Sequence, residues 1–274
     1  MINGKLARAL RFGAAAVIVG FLFLGPLRKG IVNQAQTRGA SAAAAIPTVP
    51  LRPPAKSSIP PGPVGESIRL GRNIIMNTPK YAAAYVGDSL TCSDCHLKGG
   101  TVAYASPLAG VTTLFPLYLP RSGRVISIQE RIEECFLRSE NGKRLPVESP
   151  EMIGMIAYMA WLSKGVPSGS TVQGRGLPRL QAPAHVDRAA GAEIYAARCA
   201  MCHGVDGAGV PGMSPALWGP RSFNDGAGMS YFPKMAAFVK ANMPPTQPGS
   251  LTTQEAFNVA DYVDAKPRTH FTGK

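Results

Sequence analysis

The chain has 274 residues, 45% of them hydrophobic and only 7% aromatic, with 30 glycines, 25 prolines and a net charge of +13. That length allows two small domains, or one domain with long appendages. Its basic residues form no run interleaved with aromatics, which argues against nucleic acid as a partner and leaves a small anion or an acidic redox protein.

Residues 1–45 hold Lys5, Arg8, Arg11, Arg28, Lys29 and Arg38 and no acid, so the remainder carries +7. An apolar stretch from Phe12 to Leu27 lies between these charges. It is shorter than the roughly 20 residues of a spanning helix and closer to a secretory core segment. Yet the nearest small-residue cleavage site, Ala40 to Ala45, lies well downstream. We read residues 1–30 as a membrane anchor in preference to a removed signal, with the soluble part exported to the periplasm and held at the inner membrane. Lysines and arginines are balanced on the two sides, so they do not set orientation. No cysteine precedes Cys92, which rules out a lipoprotein anchor. Residues 31–65 read as a Pro-rich tether; their second part, IPTVPLRPPAKSSIPPGPVG, holds seven prolines and suits a semi-rigid spacer.

Beyond the tether one plan occurs twice, over residues 66–165 and 187–274. Each copy has a helical segment (Glu66 to Ile75; Arg188 to Arg198), a Cys-x-x-Cys-His, a glycine-rich loop and a closing amphipathic helix. The motifs are Cys92-Ser93-Asp94-Cys95-His96 and Cys199-Ala200-Met201-Cys202-His203, which use four of the five cysteines and two of the four histidines. This pattern attaches c-type haem: the thiols form thioethers to the vinyl groups and the histidine binds iron. Two copies imply two covalently bound haems. The alternatives are a redox Cys-x-x-Cys beside a chance histidine and a zinc site built from both motifs. Two copies in a chain so poor in both residues speak against them.

In the first half Ser149 caps the closing helix with Pro150 at its first position, and Ile153, Ile156, Ala157 and Ala160 form the apolar stripe before Gly165. In the second half Thr252 and Glu255 form a capping box, with Ala256, Val259, Ala260 and Val263 as the stripe. Residues 166–186, rich in Gly, Pro and Ser, are the linker. The expected fold is mainly α: two cytochrome c-like domains in tandem, preceded by an N-terminal apolar helix and a Pro-rich tether.

A haem iron held by one histidine has a sixth position whose occupant sets potential and chemistry. In the second half, AFVKANMPP places Met243 before two prolines, ahead of the closing helix. A thioether there raises the potential and suits electron transfer. Met213, Met229, Met235 and Lys240 compete with it. From His203 to Met243 is 40 residues, and from His96 to Cys135 is 39. Cys135 therefore occupies in its half the position of the distal methionine in the other. It is otherwise a buried free thiol, though an odd thiol in an oxidising compartment calls for a partner or a function. A thiolate ligand lowers the potential, so electrons entering at the first haem would run downhill to the second.

Ser127 with Glu130 is a capping box, so a helix starts near Ile128, and Asn141-Gly142 marks its end. Arg131, Cys135 and Arg138 share one face of it, and Arg121 lies on the preceding loop. Guanidinium groups beside a reactive sulfur suit an oxyanion; haem propionates or solvent are the plainer partners.

At LFPLYLPRSGRVISIQERIEECFLRSENGKRLP, AYMAWLSKGVP, SFNDGAGM and NMP the chain resembles the thiosulfate dehydrogenases, two-haem c-type cytochromes that couple two thiosulfates into tetrathionate. The likeness runs from about Gly65 to Lys266. It implies an active-site haem with His96 and Cys135 as ligands, and substrate arginines at Arg121 and Arg131. It also implies a second haem with His203 and Met243, Asn242 standing beside the methionine. Glu140 departs from the pattern where an apolar residue is expected. A carboxylate there would repel a dianion. In the expected mechanism thiosulfate docks on Arg121 and Arg131, the Cys135 sulfur leaves iron and takes the sulfane sulfur, and a second thiosulfate displaces tetrathionate. Electrons pass to an acceptor cytochrome or a membrane oxidase. The rivals are a non-catalytic electron carrier beside a respiratory complex and a two-haem peroxidase, which would need a vacant sixth site. Tetrathionate reduction is the same reaction reversed.

Overall fold

The computed structural model describes residues 46–210 and 212–273. The expected anchor and the first part of the tether, residues 1–45, lie outside them. No helix among the described residues is long and apolar enough to cross a membrane. The elements of the first half are β1 (Thr48–Val49), α1 (Gly62–Met76), α2 (Thr78–Tyr81), α3 (Cys92–Cys95), α4 (Leu97–Gly100), β2 (Leu117–Leu119), β3 (Arg124–Ile126), α5 (Ile128–Arg138) and α6 (Pro150–Leu162). Those that follow are β4 (Thr171–Val172), α7 (Arg188–Arg198), α8 (Ala200–His203), α9 (Phe232–Asn242) and α10 (Thr253–Asp264).

The internal repeat is visible as one helix crossing made twice. In the first half α1 crosses α6 with backbone against backbone: a Cβ on Gly71 would stand 1.9 Å from the Gly154 carbonyl oxygen. In the second half α7 crosses α10, and a Cβ on Gly191 would stand 2.1 Å from the Asn258 oxygen. Glycine is required at both places because any side chain would force the helices apart. Each crossing anchors its own core: Ile74, Ile75, Phe136, Met152 and Leu162 in the first half, Tyr195, Phe257, Val259 and Val263 in the second.

The expected caps are present. Ser127 accepts from the Glu130 amide, Ser149 from the Met152 amide and Thr252 from the Glu255 amide. Each satisfies a backbone donor that the first helical turn leaves free, a contribution of about 1 kcal/mol. The expected stripe on α10 is buried throughout. On α6 the stripe is displaced: Ile153 is 53% exposed, while Met152, Met155, Tyr158, Met159 and Leu162 are buried. That helix is apolar on nearly every side, so periodicity alone does not select a face. The crossing at Gly154 does.

Two segments expected to be free are docked. The proline-rich residues 46–61 are broken by a 3-10 turn at Lys56–Ser58, β1 pairs in parallel with β4, and Leu51 and Ile59 pack on the first core. The helix expected from Glu66 starts at Gly62. The linker likewise lies along the first half: the Gly174 and Gly176 carbonyls accept from the Tyr104 and Ser106 amides at 2.7 and 2.9 Å. The two halves are stapled through the SFNDGAGM segment. Asn224 donates through Nδ2 to the Leu137 carbonyl at 2.8 Å, and its amide donates to the Arg138 carbonyl at 3.1 Å.

Candidate active site

Cys92 and Cys95 lie on α3, whose N-terminus carries a Thr91–Asp94 capping box within the motif itself. His96 ends that turn. Its Nδ1 donates to the Ser106 carbonyl at 2.5 Å, which fixes the ring and leaves Nε2 as the ligand nitrogen. Burial lowers the His96 pKa, and the Arg131 charge adds to this against the pull of the Ser106 carbonyl. The neutral imidazole that a metal needs is therefore the favoured form. Cys92, Cys95 and His96 line an apolar cavity of about 270 Å³ that Cys135, Arg131 and Phe136 of α5 also line. Met155 and Met159 reach it from the displaced face of α6. Two thiols, an oriented imidazole and a further sulfur donor around one apolar space fit a covalently held haem.

Within α5, Arg131 donates through Nη1 to Cys135 Sγ at 3.0 Å, the neighbour relation expected one turn apart. The sulfur raises the Arg131 pKa, burial opposing it. Arg121 sits in the turn between β2 and β3 and is ion-paired with Glu134, the residue before Cys135. Burial pushes the Glu134 carboxyl up, but the Arg121 guanidinium and the Ser122 hydroxyl, which donates at 3.1 Å, outweigh it and the net shift is downward. So α5 joins Arg131 directly to the sulfur, whereas Arg121 is held on Glu134 and neither of those two lines the cavity. Arg138, expected on the same face, turns to the other half: Nη1 donates to the Gly226 carbonyl at 3.2 Å and the guanidinium lies 4.1 Å from the Phe271 ring centre.

Glu140 is 3% exposed, lines the cavity and leaves Oε2 without a hydrogen-bond partner. Burial, with Asp88 and Asp94 adding to it, raises its pKa well above the ordinary carboxylate value. Burial thus acts against the charge expected to repel a dianion. Lys234 of α9 was not legible in the sequence as part of this site. Burial lowers its pKa, and Arg121 and Arg131 lower it further, so a cation of the second half lies within the field of the first. No motif marks it; only the packing of the halves brings it there.

The second site repeats the first. Cys199 caps α7, Cys202 and His203 lie on α8, and His203 Nδ1 donates to the Pro215 carbonyl at 3.0 Å. Burial lowers the His203 pKa and raises that of Cys199 to about 11. Cys92 packs on one core and Cys199 on the other, so the two motifs do not build one zinc site. Met243 follows α9 with extended backbone, as expected. Of its competitors, Met235 is buried in the core, Met213 is 70% exposed, and Lys240 donates to the Gly249 carbonyl. Asn242 is buried and donates to the Tyr104 carbonyl of the first half at 3.1 Å.

A mainly helical chain with two such cups in tandem is a two-domain c-type cytochrome. Residues 80–168 match the family described as SoxA/TsdA, cytochrome c domain, and residues 186–263 match that described as cytochrome C oxidase, cbb3-type, subunit III. The thiosulfate dehydrogenase of Allochromatium vinosum is 44% identical over 234 residues, covering 82% of this chain and 87% of that one. That of Thiomonas intermedia is 42% identical over 221 residues, covering 79% and 70%. The chain belongs to the thiosulfate dehydrogenase family. It carries two c-type haems. The solved structure of thiosulfate dehydrogenase (TsdBA) from Marichromatium purpuratum superposes with a TM-score of 0.77 at 40% identity over 82% of this chain. This chain spans about half of its length, 51%.

Proposed function

We propose that the chain oxidises two thiosulfates to tetrathionate at Cys135, with Arg121 and Arg131 holding the substrate dianion. The observation that carries this reading is the Arg131–Cys135 contact inside the cavity that His96 lines. A guanidinium on the sulfur offers its remaining donors to a sulfonate. Cys92, Cys95, His96 and Cys135 would hold the first haem, which would supply one-electron oxidation.

The chain's own part is nucleophilic and electrostatic. Once Cys135 is free to react, its thiolate and the sulfane sulfur of one thiosulfate join in an S–S bond, with loss of two electrons. The adduct is Cys135 S–S–SO₃⁻. The sulfane sulfur of a second thiosulfate attacks the outer sulfur of that disulfide, the cysteine thiolate leaves, and tetrathionate forms. Arg131 stabilises the thiolate at both ends of the cycle, and Arg121, drawn from Glu134, screens the approach of the second dianion. The two arginines make possible an encounter that like charge opposes.

Cys199, Cys202, His203 and Met243 would hold the second haem, which would supply one-electron transfer onward to an acceptor cytochrome or a membrane oxidase. The thiosulfate oxidation direction follows if the Cys135-bound centre has the lower potential and the methionine-bound centre the higher. The Phe12–Leu27 segment supports a periplasmic location with attachment to the inner membrane. Two measurements test the reading. Thiosulfate added to the purified protein without partners reduces its haems, which a passive electron carrier would not allow. Cys135→Ala retains both haems and loses turnover; normal turnover in that variant overturns the assignment.

A further inference from the structure

One charged residue of the linker, Arg175, borders the first haem cavity and is itself exposed. Arg175 lies between Gly174 and Gly176, both with positive φ, and the carbonyls of these two glycines are the acceptors for Tyr104 and Ser106. A Cβ on Gly174 would come within 2.5 Å of the Ala103 side chain, so the chain passes too close for any other residue there. Just upstream, β4 is pinned to β1 and Val172 is buried. The backbone on either side of Arg175 is thus held at three points. One of them is Ser106, whose carbonyl also orients His96.

Arg175 stands at the solvent-facing rim of the cavity, and among the described residues it has no ion pair. The other arginine lining that cavity, Arg131, is committed to Cys135. The acids near the cavity lie at the attachment cysteines: Glu140 beside Cys92, and Asp94 on the attachment helix. Thioethers at Cys92 and Cys95 tie down the vinyl edge of a porphyrin, whose two propionates belong to the opposite edge, away from these acids. A haem carboxylate in a mostly apolar cavity requires a charged or hydrogen-bonding partner.

We propose that Arg175 is the propionate partner of the first haem: a guanidinium supplied by the interdomain linker binds a haem carboxylate there and favours the reduced iron. A fixed positive charge near iron stabilises the added electron, and the linker thereby sets the potential of the centre nearest to it. Arg179, four residues on in the same linker, is exposed like Arg175 but does not line the cavity, which makes it a control for charge alone.

The test is a spectroelectrochemical titration of the full two-haem protein carrying R175Q, R175K or R179Q, with haem content measured in each. R175Q lowers the midpoint of the first haem and leaves the second in place; R175K, with the charge but without the fork, falls between R175Q and the natural protein. R179Q moves neither haem. Resonance Raman spectra of the natural protein and R175K give a readout that does not need R175Q to mature: one propionate bending band moves between them. An unchanged first midpoint in R175Q, an equal shift in R179Q, or identical propionate bands in R175K would each overturn the assignment.

Discussion

Arg131 Nη1 lies 3.0 Å from Cys135 Sγ, one turn apart on a helix whose start is fixed by the Ser127–Glu130 capping box. The cap therefore sets which face of α5 meets the cavity, and with it the position of the guanidinium on the sulfur. Arg131→Gln keeps a hydrogen-bond donor of similar shape but removes the charge. We expect turnover to fall by about 10²–10³, the size of effect seen when one preorganised donor to a developing charge is lost. Steady-state oxidation of thiosulfate with an artificial acceptor checks this, with the haem spectra showing that the protein has matured.

Glu134 holds Arg121 in an ion pair, and under the proposed role of Arg121 it competes with substrate for that guanidinium. Glu134→Gln releases that guanidinium without removing it, so the KM for thiosulfate should fall by roughly two- to five-fold, the span of a partly exposed ion pair of up to about 1 kcal/mol. Turnover at saturation stays unchanged. A KM that rises would mean that Glu134 holds Arg121 in its working position.

Asp88 has one carboxylate oxygen bonded to the Leu90 amide at 3.0 Å and the other without a partner. Burial lifts its pKa to about 7 against the pull of that amide, with Asp94 raising it slightly more. The folded-state value exceeds the unfolded one, so its contribution is fully present below about pH 4, is lost as pH rises to about 7, and is flat above. Asp88→Asn keeps the Leu90 bond and should flatten this part of the stability profile, with its largest gain near pH 8. Denaturant midpoints of the holoprotein between pH 4 and pH 8 measure it.

The helix crossings leave no room at their glycines. Gly71→Ala would place a methyl group 1.9 Å from the Gly154 carbonyl oxygen. The helices must separate, at a cost of at least about 1–3 kcal/mol for overpacking. Gly191→Ala should do the same in the second half. Thermal unfolding followed at the haem absorption compares both variants with Gly249→Ala, a position with open space around it whose φ of +80° strains alanine only locally.

Much of this arrangement is legible in the residues themselves. The two Cys-x-x-Cys-His motifs, the three caps and the matched spacing from His96 to Cys135 and from His203 to Met243 are local or periodic signals. They give the tandem helical plan and the cysteine at its centre. Ile153 was misplaced because α6 is apolar on several faces, and only the close approach of Gly71 chooses among them. The prolines of residues 46–61 indicate extended chain but not what it lies against; the partner is β4, more than a hundred residues away. Arg175, Lys234 and the Arg138 staple depend on how linker and halves pack, for which no motif exists. Glu140 stood out as an acid in an apolar position, but its burial and the upward shift of its pKa are properties of the folded environment.

The central claim is that the sulfur of Cys135 forms a covalent bond to substrate. Mass spectrometry of the oxidised protein, quenched in acid after a single addition of thiosulfate, tests it most directly. The account predicts that the peptide carrying Cys135 gains sulfur from thiosulfate and loses it on addition of a second portion as tetrathionate appears. Tetrathionate formation with that peptide unmodified at every time point would contradict it.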